Sequence, residues 1–409
     1  MGSIRNQRIY AAGKYSLAGI LLSLAIVNPV IAAWTPVTPG VFVTDFAVAP
    51  SNPSTLYASV VLTDKGTYKS INSGNAWTPQ ELSFGFDGVA VKPDDEKTAL
   101  AGRRSGQVYV TANGGIGWTP TSGGGSHETW HIDYSVSAPA TVYAGGFTSS
   151  IPNDGVLQKS TNSGNNWASL SIAMDSTPAI RSVAVAPTDP DIVFVGAEPL
   201  GATAGLYRSI DGGTSFTHLS NLLVSQVDAV AVDPTNESVV YAASSTIGRI
   251  HRSIDGGDSW TVIHDPFAAG GVGGFLSVAD IAIDPQNNRI IYAVGGSGST
   301  NVIVSTNCGS TWTNVDSTGI SGLPNRVGID TVNNFVFVSG IGMGTMYRNP
   351  LTTLSTGSCP FGAGGGSNSN SSSSSSGSGS GSVDYMLLSL LIGTTIFRGL
   401  LQFRRRNKY

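Results

Sequence analysis

The sequence has few of the residues that usually build a reactive or metal-binding centre. Its 409 residues include two cysteines and five histidines, and the histidines are scattered. No group of His, Cys, Asp or Glu shows metal-ligand spacing, so we expect no metal and no other cofactor. Helical periodicity is also missing, which leaves short apolar runs between turn residues as the main pattern.

Basic residues are scarce in the middle of the chain. Eight of the 22 lysines and arginines lie in the two terminal segments, so the central part carries 14 basic and 25 acidic residues, a formal charge of −11. Binding to nucleic acid depends on a basic surface. We therefore expect no nucleic-acid partner.

Six copies of one eight-residue phrase recur along the chain. Each begins with a hydroxyl residue, followed by Asp or Asn two positions on, Gly after two more, and an aromatic three later; the copies span residues 70–77, 111–118, 160–167, 209–216, 253–260 and 305–312. The Asx side chain bonds amides ahead of it, and Gly accepts a positive φ. Each phrase thus predicts a β-hairpin turn with an aromatic packed beneath it.

The phrase resembles the Asp-box, or BNR, repeat of sialidase-like and sortilin-like β-propellers, and the resemblance covers roughly residues 34 to 350. The six Asx residues are Asn72, Asn113, Asn162, Asp211, Asp255 and Asn307. This chain departs from the pattern at Phe216, at Gly117 and in the four boxes that have Asn instead of Asp. Asn closes the same turn as Asp. We interpret these residues as structural, and the resemblance implies that they lie away from any active site.

Two further phrases complete each repeat. A short apolar strand ends at a proline, as in Val230–Pro234, and a Tyr-Ala strand follows before the box. Four strands per period of 41 to 52 residues are typical of a propeller blade. Residues 327–348 repeat three strands without a box, and Trp34–Val37 matches the strand that follows a box. We predict an all-β, seven-bladed β-propeller whose last blade is closed by the N-terminal strand; six blades are the alternative.

The two ends of the chain have a different composition. Residues 1–32 combine basic residues, an apolar run and small residues before Ala33, which is typical of a cleaved signal peptide, with an uncleaved anchor as the alternative. We expect the propeller to span 33–360 and to be exported. Export would allow Cys308 and Cys359 to form a disulfide, although two free thiols are the alternative.

After the propeller come a flexible Gly/Ser-rich linker, 361–382, and an apolar segment with a basic end, 383–409. This arrangement resembles the GlyGly-CTERM sorting signal of Gram-negative surface proteins, which implies a rhombosortase-type protease as a partner. A permanent membrane anchor with a cytoplasmic basic end is the alternative. Either reading predicts a protein that faces the periplasm from the inner membrane or is processed to the cell surface.

Candidate ligand-binding residues stand where the inner strand of each blade begins, on the face that carries the long loops. Asp87, Asp133, Arg181 and Asp228 stand six residues before the turn proline, and Asp45 and Asp280 stand five before it. With Arg326, they could form a ring that binds a cation or a polar sugar. Alternation along a strand predicts that not all these acids face the axis, and the alternative is that they cap strand starts through backbone amides. Our candidate binding residues are Asp87, Trp130, His131, Asp133, Arg181, Asp228, Asp280 and Arg326.

No reactive constellation is recognisable in the sequence. The Arg-Ile-Pro motif of sialidases is missing, and the first blade has no arginine. Xyloglucanase-like glycosidases have similar Val-Ala-Val-Asp-Pro phrases, but that resemblance implies paired acids in a cleft between two propellers, and this chain predicts one propeller. We therefore predict a non-catalytic binding or scaffold module for a glycan or a surface protein. The alternative is a carbohydrate-active enzyme, a glycoside hydrolase or lyase, with an acid pair on the loop face.

Overall fold

The computed structural model describes residue 359 and residues 33–352, except for 38–41, 62–64, 82–84, 104–105, 124–126, 149–154, 173–178, 199–204, 223, 225, 297–300 and 341–342. All regular secondary structure in these residues is β-strand. The same residues contain no helix long and apolar enough to cross a membrane. The expected signal peptide, linker and sorting tail lie outside the described residues.

The first four blades are formed by consecutive strands. These are β2 (Val43–Val48), β3 (Leu56–Val60), β4 (Gly66–Ser70) and β5 (Thr78–Glu81); β6 (Phe86–Val91), β7 (Ala99–Arg103), β8 (Gln107–Thr111) and β9 (Thr119–Pro120); β10 (Glu128–Tyr134), β11 (Val142–Phe147), β12 (Gly155–Ser160) and β13 (Ala168–Leu170); and β14 (Ile180–Val185), β15 (Val193–Ala197), β16 (Gly205–Ser209) and β17 (Thr217–His218).

The remaining three blades follow the same plan, except that the seventh takes its outer strand from the start of the chain. Their strands are β18 (Ala229–Asp233), β19 (Asn236–Ala243), β20 (Ile250–Ser253) and β21 (Thr261–His264); β22 (Val278–Ile283), β23 (Ile291–Gly295), β24 (Val302–Ser305) and β25 (Thr313–Asn314); and β26 (Arg326–Asp330), β27 (Phe335–Ser339), β28 (Met346–Pro350) and β1 (Thr35–Val37). Every sheet has four antiparallel strands. The seven-bladed prediction is confirmed, and the six-bladed alternative is wrong.

The N-terminal strand closes the ring. β1 pairs with β28 in the register Thr35 to Arg348 and Val37 to Met346. Trp34, just before β1, is 4% exposed and packs in one core cluster with residues of the sixth and seventh blades. Its Nε1 donates a hydrogen bond to the Asp316 carbonyl at 2.8 Å. The pairing satisfies the edge of the last sheet, which would otherwise present unpaired backbone groups.

All six boxes close by the same hydrogen bonds. In the first, the Ser70 Oγ donates to Asn72 Oδ1 at 3.0 Å and accepts from the Gly74 amide at 2.9 Å, while Asn72 Oδ1 also accepts from the Ala76 amide at 2.8 Å. Gly74 has φ +81°, which a side chain would strain. Equivalent bonds from hydroxyl to Asx, and from the glycine amide to the hydroxyl, occur in the other five boxes.

Box turns and proline turns lie on one face of the ring. In the first blade the Ser73 amide donates to the Ser54 carbonyl at 2.9 Å, and in the sixth the Cys308 amide donates to Arg289 at 3.1 Å. We call this side the turn face and the opposite side the loop face. On the turn face Cys308 forms a disulfide with Cys359. The sixth box is therefore covalently joined to the chain segment that follows the last blade.

We predict that Trp34→Ala destabilises the protein by about 3 to 5 kcal/mol, because it removes a buried tryptophan from the closing strand. The measurement is urea unfolding of the full-length chain. The matched control is Thr35→Ala, whose exposed side chain should change the stability by less than about 0.5 kcal/mol. Equal stability of the two variants would contradict the idea that this end of the chain locks the ring.

Candidate functional site

A cavity of about 310 Å³ opens at the centre of the loop face. All seven blades contribute to its wall, and most of the side chains that line it are polar or charged. We call it the upper cavity. It is lined by Thr44, Asp87, Trp130, Arg181, Asp228, Ser245, Ala279, Asn325 and Arg326.

A β-bulge at the start of the inner strand directs one side chain per blade into this cavity. In five blades the register shifts by one residue at this point, and the extra residues are Thr44, Asp87, Trp130, Arg181 and Ala279. The other two blades place Asp228 and Asn325 just before the first paired residue; their amides donate to the Ala243 and Ser339 carbonyls. Bulges re-aim side chains in this way at the rims of closed sheets.

Trp130 and Arg181 form the aromatic part of the wall. The Arg181 guanidinium lies 4.1 Å from the centre of the Trp130 ring, and Phe147 packs edge-on against the same indole at 4.4 Å between centroids. Glu198 accepts two hydrogen bonds from Arg181, one of them from Nε at 2.6 Å. The Trp130 Nε1 donates to Glu128 at 3.3 Å. The indole is therefore held in place, and the charge of Arg181 is offset by a carboxylate.

Two carboxylates, Asp87 and Asp228, lie in other parts of the wall. Asp228 accepts hydrogen bonds from the Gln226 side chain at 2.7 Å and from the Ser245 amide at 2.7 Å. Asp87 is buried at the wall, with 8% of its surface exposed. Asp228 is therefore held at the cavity as a hydrogen-bond acceptor.

Arg326 lies on the axis at the bottom of the upper cavity. Its Nε donates to Asp45 Oδ1 at 3.0 Å, and a terminal nitrogen donates to the Trp130 carbonyl at 3.4 Å. Burial lowers the pKa of Arg326, but the nearby charges of Asp45 and Asp280 outweigh burial and raise it overall. The guanidinium is thus a fixed cation whose charge is balanced by acids beneath it.

A second space of about 320 Å³ continues along the axis towards the turn face, and we call it the lower compartment. Its walls are largely apolar strand residues, together with Asp45, His131, Asp133, Asp280 and Arg326. Three of these acids link neighbouring blades. Asp45, Asp133 and Asp280 accept hydrogen bonds from the amides of Val89, Val185 and Val327 at 2.9, 2.8 and 3.0 Å. These bonds give the three acids a structural role at the seams between inner strands.

The ionisable groups of the lower compartment have strongly shifted pKa values. Burial raises the pKa of Asp133 to about 7 and that of Asp45 to about 6, although Arg326 opposes the shift at Asp45. Burial also raises the pKa of Asp280. His131 is affected in the opposite direction, because burial and the charge of Arg326 lower its pKa to about 3. At neutral pH this histidine is uncharged, and its Nδ1 accepts a hydrogen bond from the Val183 amide at 3.4 Å.

The structure divides the eight candidate residues between the two spaces. Asp87, Trp130, Arg181, Asp228 and Arg326 line the upper cavity, whereas His131, Asp133 and Asp280 line the lower compartment beside Arg326. Sequence reasoning missed Thr44, Ser245, Ala279 and Asn325. Thr44, Ala279 and Asn325 occupy the same position in their blades as Asp87. Aligning the repeats with one another could have identified these three residues.

The position predicted for Asp133 was wrong. In the third blade the Ser135 amide donates to the Thr141 carbonyl, and in the fourth blade the Ala186 amide donates to the Ile192 carbonyl. Pro139 therefore corresponds to Pro190, the second proline in the turn of the fourth blade, and not to the first. Counting back from Pro139 therefore assigned the cavity position of the third blade to a residue three places too late in the sequence. Trp130 occupies the cavity position, and Asp133 lies deeper along the axis, facing the lower compartment.

Hydrogen bonding and stacking are the chemistry that the upper cavity offers. Its wall presents hydroxyl, amide and carboxylate groups around one indole, and its two arginines are each bonded to an acid. Within the described ranges no group of three or more His, Cys, Asp or Glu side chains is arranged to hold a metal ion. A neutral, hydroxyl-rich ligand fits this arrangement better than a highly charged one.

Comparisons with known proteins place the chain among propellers. No protein-family model matches the sequence. A xyloglucanase from Paenibacillus is 26% identical over 244 residues, and one from Hypocrea jecorina is 31% identical over 156 residues; these alignments cover 58% and 34% of the chain. The chain spans only 18% and 17% of the length of these two relatives.

Two solved structures share the fold. An ancestral GH74 enzyme superposes with a TM-score of 0.61 at 17% identity, covering 78% of this chain and 46% of that one. YCF48 bound to D1 peptide superposes with a TM-score of 0.57 at 14% identity, covering 80% of this chain and 99% of that one. At these identities the likeness establishes the propeller fold.

We predict that Asp133 makes stability depend on pH. Its pKa is higher in the folded protein than the ordinary value near 3.8, so deprotonation costs more in the folded state, and stability is lost as the pH rises towards 7. Relative to Asp133→Asn, the wild-type protein should therefore melt at progressively lower temperature between pH 4 and 7, with no further change above pH 7. His131 contributes the opposite slope to both proteins, so the difference between them isolates Asp133.

Melting curves at several pH values measure this difference. The matched control is Asp258→Asn, which changes an exposed acid of a box turn and should leave the pH dependence as in wild type. A constant difference between wild type and Asp133→Asn across this pH range would show that the carboxyl group does not titrate there.

Proposed function

We propose that this protein is an exported, envelope-attached propeller that binds a glycan in the upper cavity without chemical conversion. The observation that carries the proposal is Trp130, held edge-on by Phe147 in a wall whose other side chains are mostly hydrogen-bonding groups. An aromatic face packs against the apolar face of a sugar ring, while amides, hydroxyls and carboxylates bond its hydroxyl groups. Similarity to xyloglucanases supports this class of ligand.

The proposed location rests on the ends of the sequence. A basic and apolar segment before residue 33 supports export, and the Gly/Ser tract with its apolar, arginine-ended tail supports attachment to the envelope. The membrane and a rhombosortase-type protease would then be partners of the tail. The propeller would display its cavity to glycans or proteins outside the inner membrane.

The absence of conversion is proposed from the charges in the site. General acid–base chemistry on a glycosidic bond needs a proton donor and a second carboxylate on opposite sides of the bond. In the upper cavity Asp228 is tied to Gln226 and to the Ser245 amide, and both arginines are bonded to acids. Asp45, Asp133 and Asp280, whose pKa values are raised, lie in the lower compartment, where they link blades.

Two other functions are each favoured by one observation. A protein ligand is favoured because the similar YCF48 structure, which is matched over 99% of its length, is bound to a peptide. A carbohydrate-active enzyme is favoured because Asp87 and Asp228 line one cavity and the chain is similar to xyloglucanases.

We predict that the full-length protein binds oligosaccharides and that Trp130→Ala weakens this binding about tenfold or more, because the indole supplies the stacking surface. A tenfold loss corresponds to about 1.4 kcal/mol. Asp228→Asn should also weaken binding, and the exposed Asp258→Asn should not. The experiment is a glycan array, followed by calorimetric titration with the best glycan and with xyloglucan oligosaccharides.

Product analysis on the same samples separates the three functions. Unchanged oligosaccharides after long incubation are expected, whereas release of reducing ends that is abolished by Asp87→Asn or Asp228→Asn would establish an enzyme. Binding that Trp130→Ala leaves unaffected would remove the upper cavity as the glycan site. No glycan binding, together with saturable peptide binding that Trp130→Ala abolishes, would favour the protein ligand.

A further inference from the structure

A basic side chain seals most junctions between neighbouring blades on the turn face. In each box turn one residue directly precedes the glycine that all six boxes share. In five of the six turns the backbone carbonyl of this residue accepts a hydrogen bond from a lysine or arginine of the preceding blade. The pairs are Arg348 with Ser73 at 2.5 Å, Lys69 with Gly114 at 3.2 Å, Lys159 with Gly212 at 2.7 Å, Arg208 with Gly256 at 2.6 Å and Arg252 with Cys308 at 2.7 Å. Each cation crosses one junction.

The junction between the second and third blades is built differently. The residue at the position of these cations is Val110, and the residue paired with it on the neighbouring strand is Leu100, where other blades have a tyrosine or phenylalanine. The Ser163 carbonyl, which corresponds to the acceptors above, takes a hydrogen bond from Tyr134 of its own blade at 3.2 Å. Two smaller apolar residues thus stand where a cation and an aromatic ring stand elsewhere.

This junction is closed at its outer edge instead. The Ser122 amide donates to the Asn165 carbonyl at 3.0 Å, and the Trp167 amide donates to the Ser122 carbonyl at 2.9 Å. The Trp167 Nε1 also donates to Thr121 Oγ1 at 3.1 Å. Residues that follow the outer strand of the second blade make these contacts, and inside the junction Leu100, Val110, Tyr134 and Trp167 pack in one buried apolar cluster.

A cleft of about 550 Å³ lies between these two blades on the turn face. Val110 and Ala112 give it an apolar wall, and Asn113, Ser163 and Asn165 give it polar groups at the box turns. The volume is much larger than a bare ion needs and suits an extended side chain. The cleft therefore combines an apolar passage with backbone and amide acceptors at the box turns.

Charges of both signs surround the cleft, since Asp94 and Asp95 lie beside Lys92 and Lys97. Lys92 lines it, but its ammonium group is bonded to Asp94, which offsets the charge. Asp95 lies nearby and accepts a hydrogen bond from Thr98 at 2.7 Å. Burial raises the pKa of the Tyr134 hydroxyl, and the charges of Asp94 and Asp95 raise it further, so their field reaches the group bonded to Ser163.

We propose that this cleft binds a lysine side chain of a partner protein, with the methylene groups against Val110 and the ammonium group at the Ser163 carbonyl. The bound lysine would make the contact that an internal lysine or arginine makes at the five other box turns. The site lies on the face opposite the upper cavity. It is therefore independent of glycan binding, and a partner could be held while a glycan is bound.

The test is calorimetric titration of the full-length protein with a capped heptapeptide that has a central lysine between glycines. The matched probe replaces lysine with norleucine, which keeps the methylene chain and removes the charge. Val110→Lys places a cation at the position that holds lysine or arginine in five other blades and should weaken binding of the lysine peptide at least tenfold; because Val110 is buried, the melting temperature of this variant is measured first. Thr119→Lys places a cation at an exposed position of the cleft and should also weaken binding.

Each outcome decides the proposal. Saturable binding of the lysine peptide, weak binding of the norleucine peptide and loss of binding in both variants would support it. Equal binding of the two peptides would overturn it, as would no binding of the lysine peptide or full binding by both variants. If Val110→Lys does not fold, the exposed Thr119→Lys variant decides alone. Trp130→Ala should bind the lysine peptide normally, which separates this test from that of the glycan site.

Discussion

Closure of the ring by β1 is the constraint on which the rest of the structure depends. A propeller blade buries its two faces against its neighbours, so the first and last blades are stable only if they meet. Here the last blade has three consecutive strands, and the start of the chain supplies the fourth by pairing with β28. Trp34 adds a core contact, and the disulfide between Cys308 and Cys359 holds the chain that leaves the same blade. Both ends of the domain therefore stabilise the junction between the sixth and seventh blades. This closed ring holds the wall of the upper cavity in place.

Much of the fold could be predicted because its units are local. A box turn is specified within eight residues by a hydroxyl, an Asx and a glycine, and the likeness of Trp34–Val37 to the strands after boxes was enough to predict how the ring closes. The cavity wall was harder. A bulge adds one residue to the strand and so changes which side chains face the axis. The residue types at two of the bulges, Thr44 and Ala279, give no sign of a bulge in the sequence. The turn of the third blade has a proline only at the position that matches Pro190, so counting from Pro139 placed Asp133 three residues away from its true level.

Aspartates at two adjacent positions of the inner strand have different roles. At the bulge position Asp87 and Asp228 line the upper cavity, where a ligand would meet them. At the next position Asp45 and Asp280 turn towards the lower compartment and bond amides of the next blade, with Arg326 between them. The acids near the strand starts are therefore divided between the cavity wall and the seams between blades. An acid that bonds an amide of the next blade stabilises the ring, whereas Asp87 and Asp228 border the open space, where Asp228 also bonds the Ser245 amide of its own blade.

The places where the repeats differ are the best guide to recognition. One position per blade faces the upper cavity, at a bulge in five blades and just before the first paired residue in the other two, yet it holds threonine, aspartate, tryptophan, arginine, alanine and asparagine in different blades. Packing positions do not vary in this way, since the second strand keeps Tyr or Phe at the buried site of most blades. Arg181 and Arg326 are already neutralised by Glu198 and Asp45, so the cavity offers hydrogen bonds and an indole face more than a net field. A ligand bound there, as we propose, would be selected by its pattern of hydroxyl groups, because a buried donor or acceptor left unmatched costs more than the matched one contributes.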